Sequence, residues 1–341
     1  MESIINELGI IIYATLTYTP PLLFAALGSC FSENSGVVNI GIEGMMTIGA
    51  FFGAAIAHFT GNPWIGFLCG GLAGAALAAL HAWACVSLHA DQTIVGTAIN
   101  FLGTGIALLM SKAWFNSSDT PNLIDNKLPN MFAGMFGSGS VTDNFLKNVL
   151  RNPVSTYLVF VCVIVVWFVF YKTRFGLRLR AAGEHPKACD TLGINVIGIR
   201  YAAVIISGFM AGLGGASITM ATMNQFRPTS VVGHGFIAIA AVIFGKFKPQ
   251  GAMWACLLFG MCTGLRVVLG GSSPIPTQLI SMIPYVITVV VLVLFVGKSR
   301  APAANGKPYV KSKSEVPYDR KRADFNGHRC QRKGLYALFS L

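Results

Sequence analysis

Phe31-Ser-Glu-Asn-Ser-Gly-Val-Val-Asn-Ile-Gly-Ile-Glu-Gly-Met-Met-Thr-Ile-Gly49 is polar and glycine-rich, yet it lies between apolar runs at 8–30 and 40–59 that are each long enough to cross a bilayer. Backbone that leaves the helix inside a membrane is tolerated only where protein or a water-filled cavity satisfies its polar groups. Gly36, Gly41, Gly44 and Gly49 free the backbone to unwind, and Asn39 and Glu43, four apart, would share a helix face. A carboxylate inside a span costs roughly 2.5–3.5 kcal/mol even on insertion scales. Glu43 therefore faces a cavity or a partner, or else it sits at headgroup level near the positive end of a helix dipole. The stretch predicts a helical membrane bundle with an interruption near its first hairpin.

Working outward, the whole chain fits a lipid solvent. Of its 341 residues 54% are hydrophobic and 11% charged, with mean hydropathy +0.63, against about 25% charged in soluble proteins. Further apolar runs fall at 63–88, 93–112, 154–171, 199–223, 234–247, 251–270 and 279–297. The expectation is an all-α polytopic transmembrane bundle of about nine spans, with residues 1–299 forming the membrane domain and 300–341 a basic, disordered cytoplasmic tail. Glu2 and Glu7, where a cleavable leader would carry basic residues, predict that the first span stays in place.

The net charge of +12 is unevenly spread. Eleven basic and three acidic residues lie beyond Val296, so +8 of it sits in the tail. Most of the rest lies in one loop, with Lys172, Arg174, Arg178, Arg180, Lys187 and Arg200 set against Glu184 and Asp190. This distribution orients a membrane protein on lipid and argues against nucleic acid as a partner. It places the 173–198 loop, the Lys246/Lys248 turn and the tail inside, with 113–153 outside. Gly41–Gly53 also aligns without gaps to Gly233–Gly245, each leading to a proline, Pro63 or Pro249. The two copies would cross in opposite directions, an inverted repeat of the kind that frames transporter sites.

Two groups of side chains are candidates for function. In the inside loop, Pro186 suits the first turn of a helix and Gly193 its end, framing about two turns. That helix would lie along the membrane and dock in a groove of a cytoplasmic partner, unless the loop serves only to set orientation. In the fourth run, Gln92, Thr93, Thr97 and Asn100 recur at helical spacing, offering hydrogen bonds either to a polar uncharged solute or to neighbouring helices. His81 and His89 are read as interfacial, and His185 and His234 as isolated. No His, Cys and carboxylate cluster has metal-ligand spacing, and no GxxxxGK[ST] loop is present. The sequence gives no catalytic group.

The run 31–49, the segment Asp91-Gln-Thr-Ile-Val-Gly-Thr-Ala-Ile-Asn100 and the loop Gly183-Glu-His-Pro-Lys-Ala-Cys-Asp-Thr-Leu-Gly-Ile194 resemble ATP-binding cassette (ABC) importer permeases of the simple-sugar and nucleoside group. The resemblance covers about residues 5–310. It implies a type II importer fold and a transport subunit that is not itself an enzyme. It also implies a coupling element at Gly183, Glu184, His185, Pro186, Ala188 and Gly193, and solute-path candidates at Asn39, Glu43, Gln92, Thr97 and Asn100. Implied partners are ABC ATPase subunits that bind the ATP and Mg, a second, paralogous permease and an extracytoplasmic solute-binding protein. The setting is the bacterial cytoplasmic membrane. Nucleosides are the substrate the resemblance favours, with ribose- or galactose-type sugars as the alternative and a stand-alone secondary transporter behind both. Lys187 and Cys189 depart from the family's Glu-Ala-Ala form in the coupling loop.

Overall fold

The computed structural model describes residues 2–120, 128–131, 149–270 and 300–310, with 282, 286 and 290 as isolated helical positions. Helix α1 runs Glu2–Asn34, α2 Ile42–Thr60 and α3 Pro63–Ala82, the last extended by a π-helical turn at Trp83–Ser87. Then come α4 Gln92–Phe115, α5 Val154–Lys172, the short α6 Arg174–Glu184 and α7 Pro186–Thr191. Helix α8 Val196–Ser217, extended by a π turn at Ile218–Met223, is followed by α9 His234–Phe244 and α10 Pro249–Gly270.

The helix ends follow local chemistry. Asn62 caps α3, accepting from Trp64 N–H at 2.9 Å with Pro63 in the first turn, and Asp91 caps α4, accepting from Thr93 and Ile94 at 2.9 and 3.0 Å. Within α1, Pro20 removes the N–H that would bond Leu16 C=O. The Thr156 hydroxyl of α5 donates to that carbonyl instead, at 3.2 Å. A break in the helix ladder is thus satisfied by a neighbour, as a lipid environment requires.

Helices α2, α3 and α8 close on one another through glycine. A Cβ on Gly49 would lie 2.5 Å from Gly212 Cα, and one on Gly70 would lie 2.7 Å from Gly49 O. Without a hydrophobic drive between helices in lipid, such close backbone approach supplies the packing. Gly53 against Ala216 and Gly49 against Gly212 make α2 parallel to α8. Gly28 against Ser207, and Gly214 against Pro21, make α1 antiparallel to it.

Seven helices among the described residues are long and apolar enough to cross a membrane. The expected span at 234–247 is instead α9, an eleven-residue helix of about 16 Å, too short to cross alone. The expected span at 279–297 lies outside the described residues apart from three positions, so the count of nine is not established. The interruption in 31–49 is also narrower than its composition suggests, because α1 continues helically through Asn34 and only 35–41 leave the helix.

That short segment carries much of the architecture. From the end of α1 it turns back, so that Gly36 lies against Arg200 while Asn39 bonds Ser207, seven residues or about 10 Å further along α8. Helix α2 therefore begins inside the bundle. So does α9, whose Gly235 lies against the backbone of Glu43. The chain then descends to the level of α1's end, where Asn34 Nδ2 donates to Phe247 O at 2.9 Å. The two repeat copies thus meet start to start and run in opposite directions, one from Gly41 and the other from Gly233.

Residues 300–309 belong to the same compact unit as the helices. Of the expected tail at 300–341, residues 311–341 lie outside the described residues.

Candidate functional site

The loop end of the molecule is built from α6 and α7. Thr173 caps α6, accepting from Gly176 N–H at 3.2 Å. A side chain at Gly176 would strike the Val169–Phe170 backbone, so α6 folds tightly back onto α5. Gly183 is equally close to Asn34 O at the end of α1. Helix α7 starts at Pro186, and Gly193 beyond it has φ +77°, the left-handed conformation that ends a helix. Cys189 turns inward, and burial raises its thiol pKa. Glu184, His185, Lys187, Ala188 and Gly193 are exposed, Pro186 is half-buried, and Leu192 is 78% exposed. The hairpin thus holds its inner face to the bundle and presents a mixed polar and apolar outer face.

Residues 303–309 strap this hairpin to the helix ends. Ala304 N–H donates to Gly183 O at 2.9 Å, and Ala303 N–H to Glu184 Oε2 at 3.3 Å. Asn305 Nδ2 donates to Glu33 Oε2 at 2.5 Å, and Arg200 Nη1 donates to Lys307 O at 3.1 Å. Glu33 is 5% exposed and Arg200 2%. Buried charges this deep need such partners. Tyr309 closes the strap, 7% exposed in a cluster with Ala182, Cys189 and Val196, its ring 5.8 Å from the Arg200 guanidinium. Burial and the nearby Asp190 carboxylate push the Tyr309 hydroxyl up to about 12, so it stays protonated. Sequence reading missed Glu33, Arg200 and Tyr309. The signal of the first two was a carboxylate at the end of an apolar run, lost in the polar 31–49 stretch, and an arginine one turn inside a span, masked by the basic loop before it.

The polar residues of α4 are placed as pins. Gln92 Oε1 accepts from Val38 N–H at 2.7 Å. Asn100 Oδ1 accepts from Gly44 N–H at 2.8 Å, while its Nδ2 donates to Ile40 O at 3.0 Å. These two amides therefore satisfy the backbone of the interruption. Thr97 is exposed, its hydroxyl donating to Thr93 O of its own helix. Asn39 is 0% exposed, donating to Ser207 Oγ at 3.1 Å, with its Oδ1 unpaired among the described residues. Glu43 lies at the start of α9, facing the backbone N–H groups of Gly233 and Phe236, where a carboxylate offsets the positive helix end. Its Oε2 has no hydrogen-bond partner among the described residues. The structure brings Asn39, Glu43, Gln92 and Asn100 around one interruption and leaves Thr97 apart. His81, expected at an interface, is fully buried with Nε2 3.3 Å from Val38 O, another support of the same segment.

Beside α9's first turn lies a cavity of about 150 Å³. Thr229, Ser230, His234, Thr263 and Arg266 form its polar wall, and Ile237 contributes to the apolar one. The sequence reading left His234 isolated and did not single out Arg266. The helix period of α10 could have flagged Arg266 as a cation inside a span.

Residues 11–292 match the family model described as branched-chain amino acid transport system / permease component. The chain belongs to that family. It is 40% identical to the nucleoside ABC transporter permease protein NupC of Lactococcus lactis subsp. cremoris, over 91% of this chain and 100% of that one. It is 40% identical to the guanosine ABC transporter permease protein NupQ of Bacillus subtilis, over 91% and 99%. It is 22% identical to the glucose ABC transporter permease protein TsgB13 of Haloferax volcanii, over 80% and 72%. The chain is a multi-pass membrane transport subunit of an ABC system.

Proposed function

We propose that this permease imports nucleosides across the bacterial cytoplasmic membrane. It would act with two ATP-hydrolysing subunits, a second permease subunit and an extracytoplasmic solute-binding protein. The observation that carries the reading is the end-to-end likeness to NupC and NupQ. ATP and Mg belong to the partner subunits, since this sequence has no phosphate-binding GxxxxGK[ST] loop.

The loop end suits the lever such a complex needs. Ala188 and Leu192 face outward for a partner, while Gly183, Glu184 and the strap fix the hairpin to α1 and α8. A push on α7 then moves helix ends rather than a loose loop. The solute path needs no chemistry, only polar groups exposed in turn to each side; Asn39 and Glu43, near the start of both repeat helices, remain its candidates.

The direct test is ATP-dependent uptake of labelled guanosine by the complete reconstituted complex, with glucose as competitor. Nucleoside uptake that glucose does not compete supports the reading, and sugar uptake alone overturns it. Gly193→Trp tests the lever. Nothing lies within 4 Å of a Cβ there, so the main internal cost is about 1–2 kcal/mol of left-handed backbone strain. The complex should assemble while its ATPase runs uncoupled from uptake, and normal uptake would remove α7 from the coupling path.

A further inference from the structure

We infer that the cavity between α9 and α10 is a solute-recognition site in which the Arg266 guanidinium binds two adjacent coplanar acceptors, the edge presented by a 6-oxopurine nucleoside. This rests on the nucleoside-import reading and adds a residue and a base preference to it.

Arg266 lies inside a helix long and apolar enough to cross the membrane. It sits in the last turn of that span and is half-buried, so its charge needs solvent, a polar cavity or a partner. Among the described residues no carboxylate lies within ion-pair distance of it, and Arg266 lines the cavity together with His234, the first residue of α9. The planar donor fork of arginine matches paired acceptors. The O6 and N7 atoms of a 6-oxopurine form such a pair in one plane, whereas a monosaccharide offers hydroxyls out of plane.

The rest of the wall suits a neutral nucleoside. Thr263 spends its hydroxyl proton on Phe259 O at 2.9 Å, and its oxygen can then accept from a sugar hydroxyl or base N–H. Ser230 Oγ accepts from Arg227 N–H at 3.1 Å, which leaves its own proton to donate. An anion such as a nucleotide would satisfy the same fork. However, Glu43 stands on the other side of α9's first turn, against Gly235 and facing Gly233, and its carboxylate disfavours a second full negative charge. Residues 224–233 lead to the cavity from Phe226, which pairs with Thr120 just beyond the end of α4.

The test uses the complete importer in proteoliposomes, comparing uptake of guanosine and uridine, whose base has no adjacent acceptor pair, by wild type, Arg266→Lys and Arg266→Gln. Both variants should raise the guanosine KM about tenfold, the scale of one bidentate base contact, and leave uridine within twofold. Lysine should not rescue, since it is a point charge rather than a fork. Full rescue by lysine, an equal loss for both nucleosides, or stronger competition by GMP than by guanosine would each overturn the inference. If neither arginine variant assembles, Thr263→Val decides, since a nucleoside KM unchanged in that variant also overturns it. A wild-type complex that imports only glucose would sink the nucleoside reading itself, which is a different result.

Discussion

Helices α2 and α9 are the two halves of one inverted pair, and they are held very differently. Both start at a glycine inside the bundle and both meet near Glu43. Yet α2 buries thirteen of its 19 residues, while α9 buries four of eleven. Neither has a cap from its own first residue, but α2 is pinned at its start by the Asn100 amide, with Gln92 holding the segment before it, whereas α9 rests on the Glu43 carboxylate. One repeat copy is fixed scaffold, and the contrast predicts that the other is the element free to shift against it. Bistability between a fixed and a movable half is the usual basis of alternating access.

Adding a single methyl to each copy gives the strongest test. Gly49→Ala drives a Cβ into the Gly212 backbone, and Gly235→Ala drives one into the Glu43 backbone. The first should cost about 3 kcal/mol or more and yield little folded complex. The second should fold, with uptake reduced at least severalfold. Equal loss of assembly would erase the distinction between fixed and movable copies.

Unpinning α2 should have a middle-sized effect. Asn100→Ala leaves Gly44 N–H and Ile40 C=O without their partners, at about 2–4 kcal/mol for the two groups. A lowered thermal midpoint of the purified complex would report it. Thr97→Val, one turn away but exposed, should stay within about 0.5 kcal/mol. If the two behave alike, α4 does not pin the interruption.

Glu43→Gln should have the smallest effect on stability, about 1 kcal/mol or less, from losing the charge at α9's start. Its signature is local. Amide exchange should quicken in α9 and hold steady in α2, and a uniform change across both would show that Glu43 does not act on α9 selectively.

Much of this was legible in the sequence because lipid leaves few options. Apolar runs, the basic inside loop and the Pro186 and Gly193 punctuation each answer to one physical constraint, and the structure places a helix at 186–191 accordingly. The repeat was legible too, through glycine positions that set where α2 and α9 begin. What it hid was pairing at a distance. Gln92 and Asn100 read equally well as solute ligands or as backbone pins, because an amide serves both, and only their closeness to residues 38–44 decides. Arg200 looked like one more inside charge until Lys307 O and the Tyr309 ring appeared beside it. The short α9 read as a span because composition does not show that half of the crossing is made by the irregular chain at 224–233.

The strap also carries information about order in time. A ribosome releases the α6–α7 hairpin long before residues 303–307, which lie 119 positions after Glu184 and 107 after Arg200 in their respective bonds. Glu33 waits longer still, 272 positions ahead of Asn305. During synthesis the helices can enter the membrane while the loop end still lacks these contacts. Translation through Tyr309 is thus the step that completes the α6–α7 end.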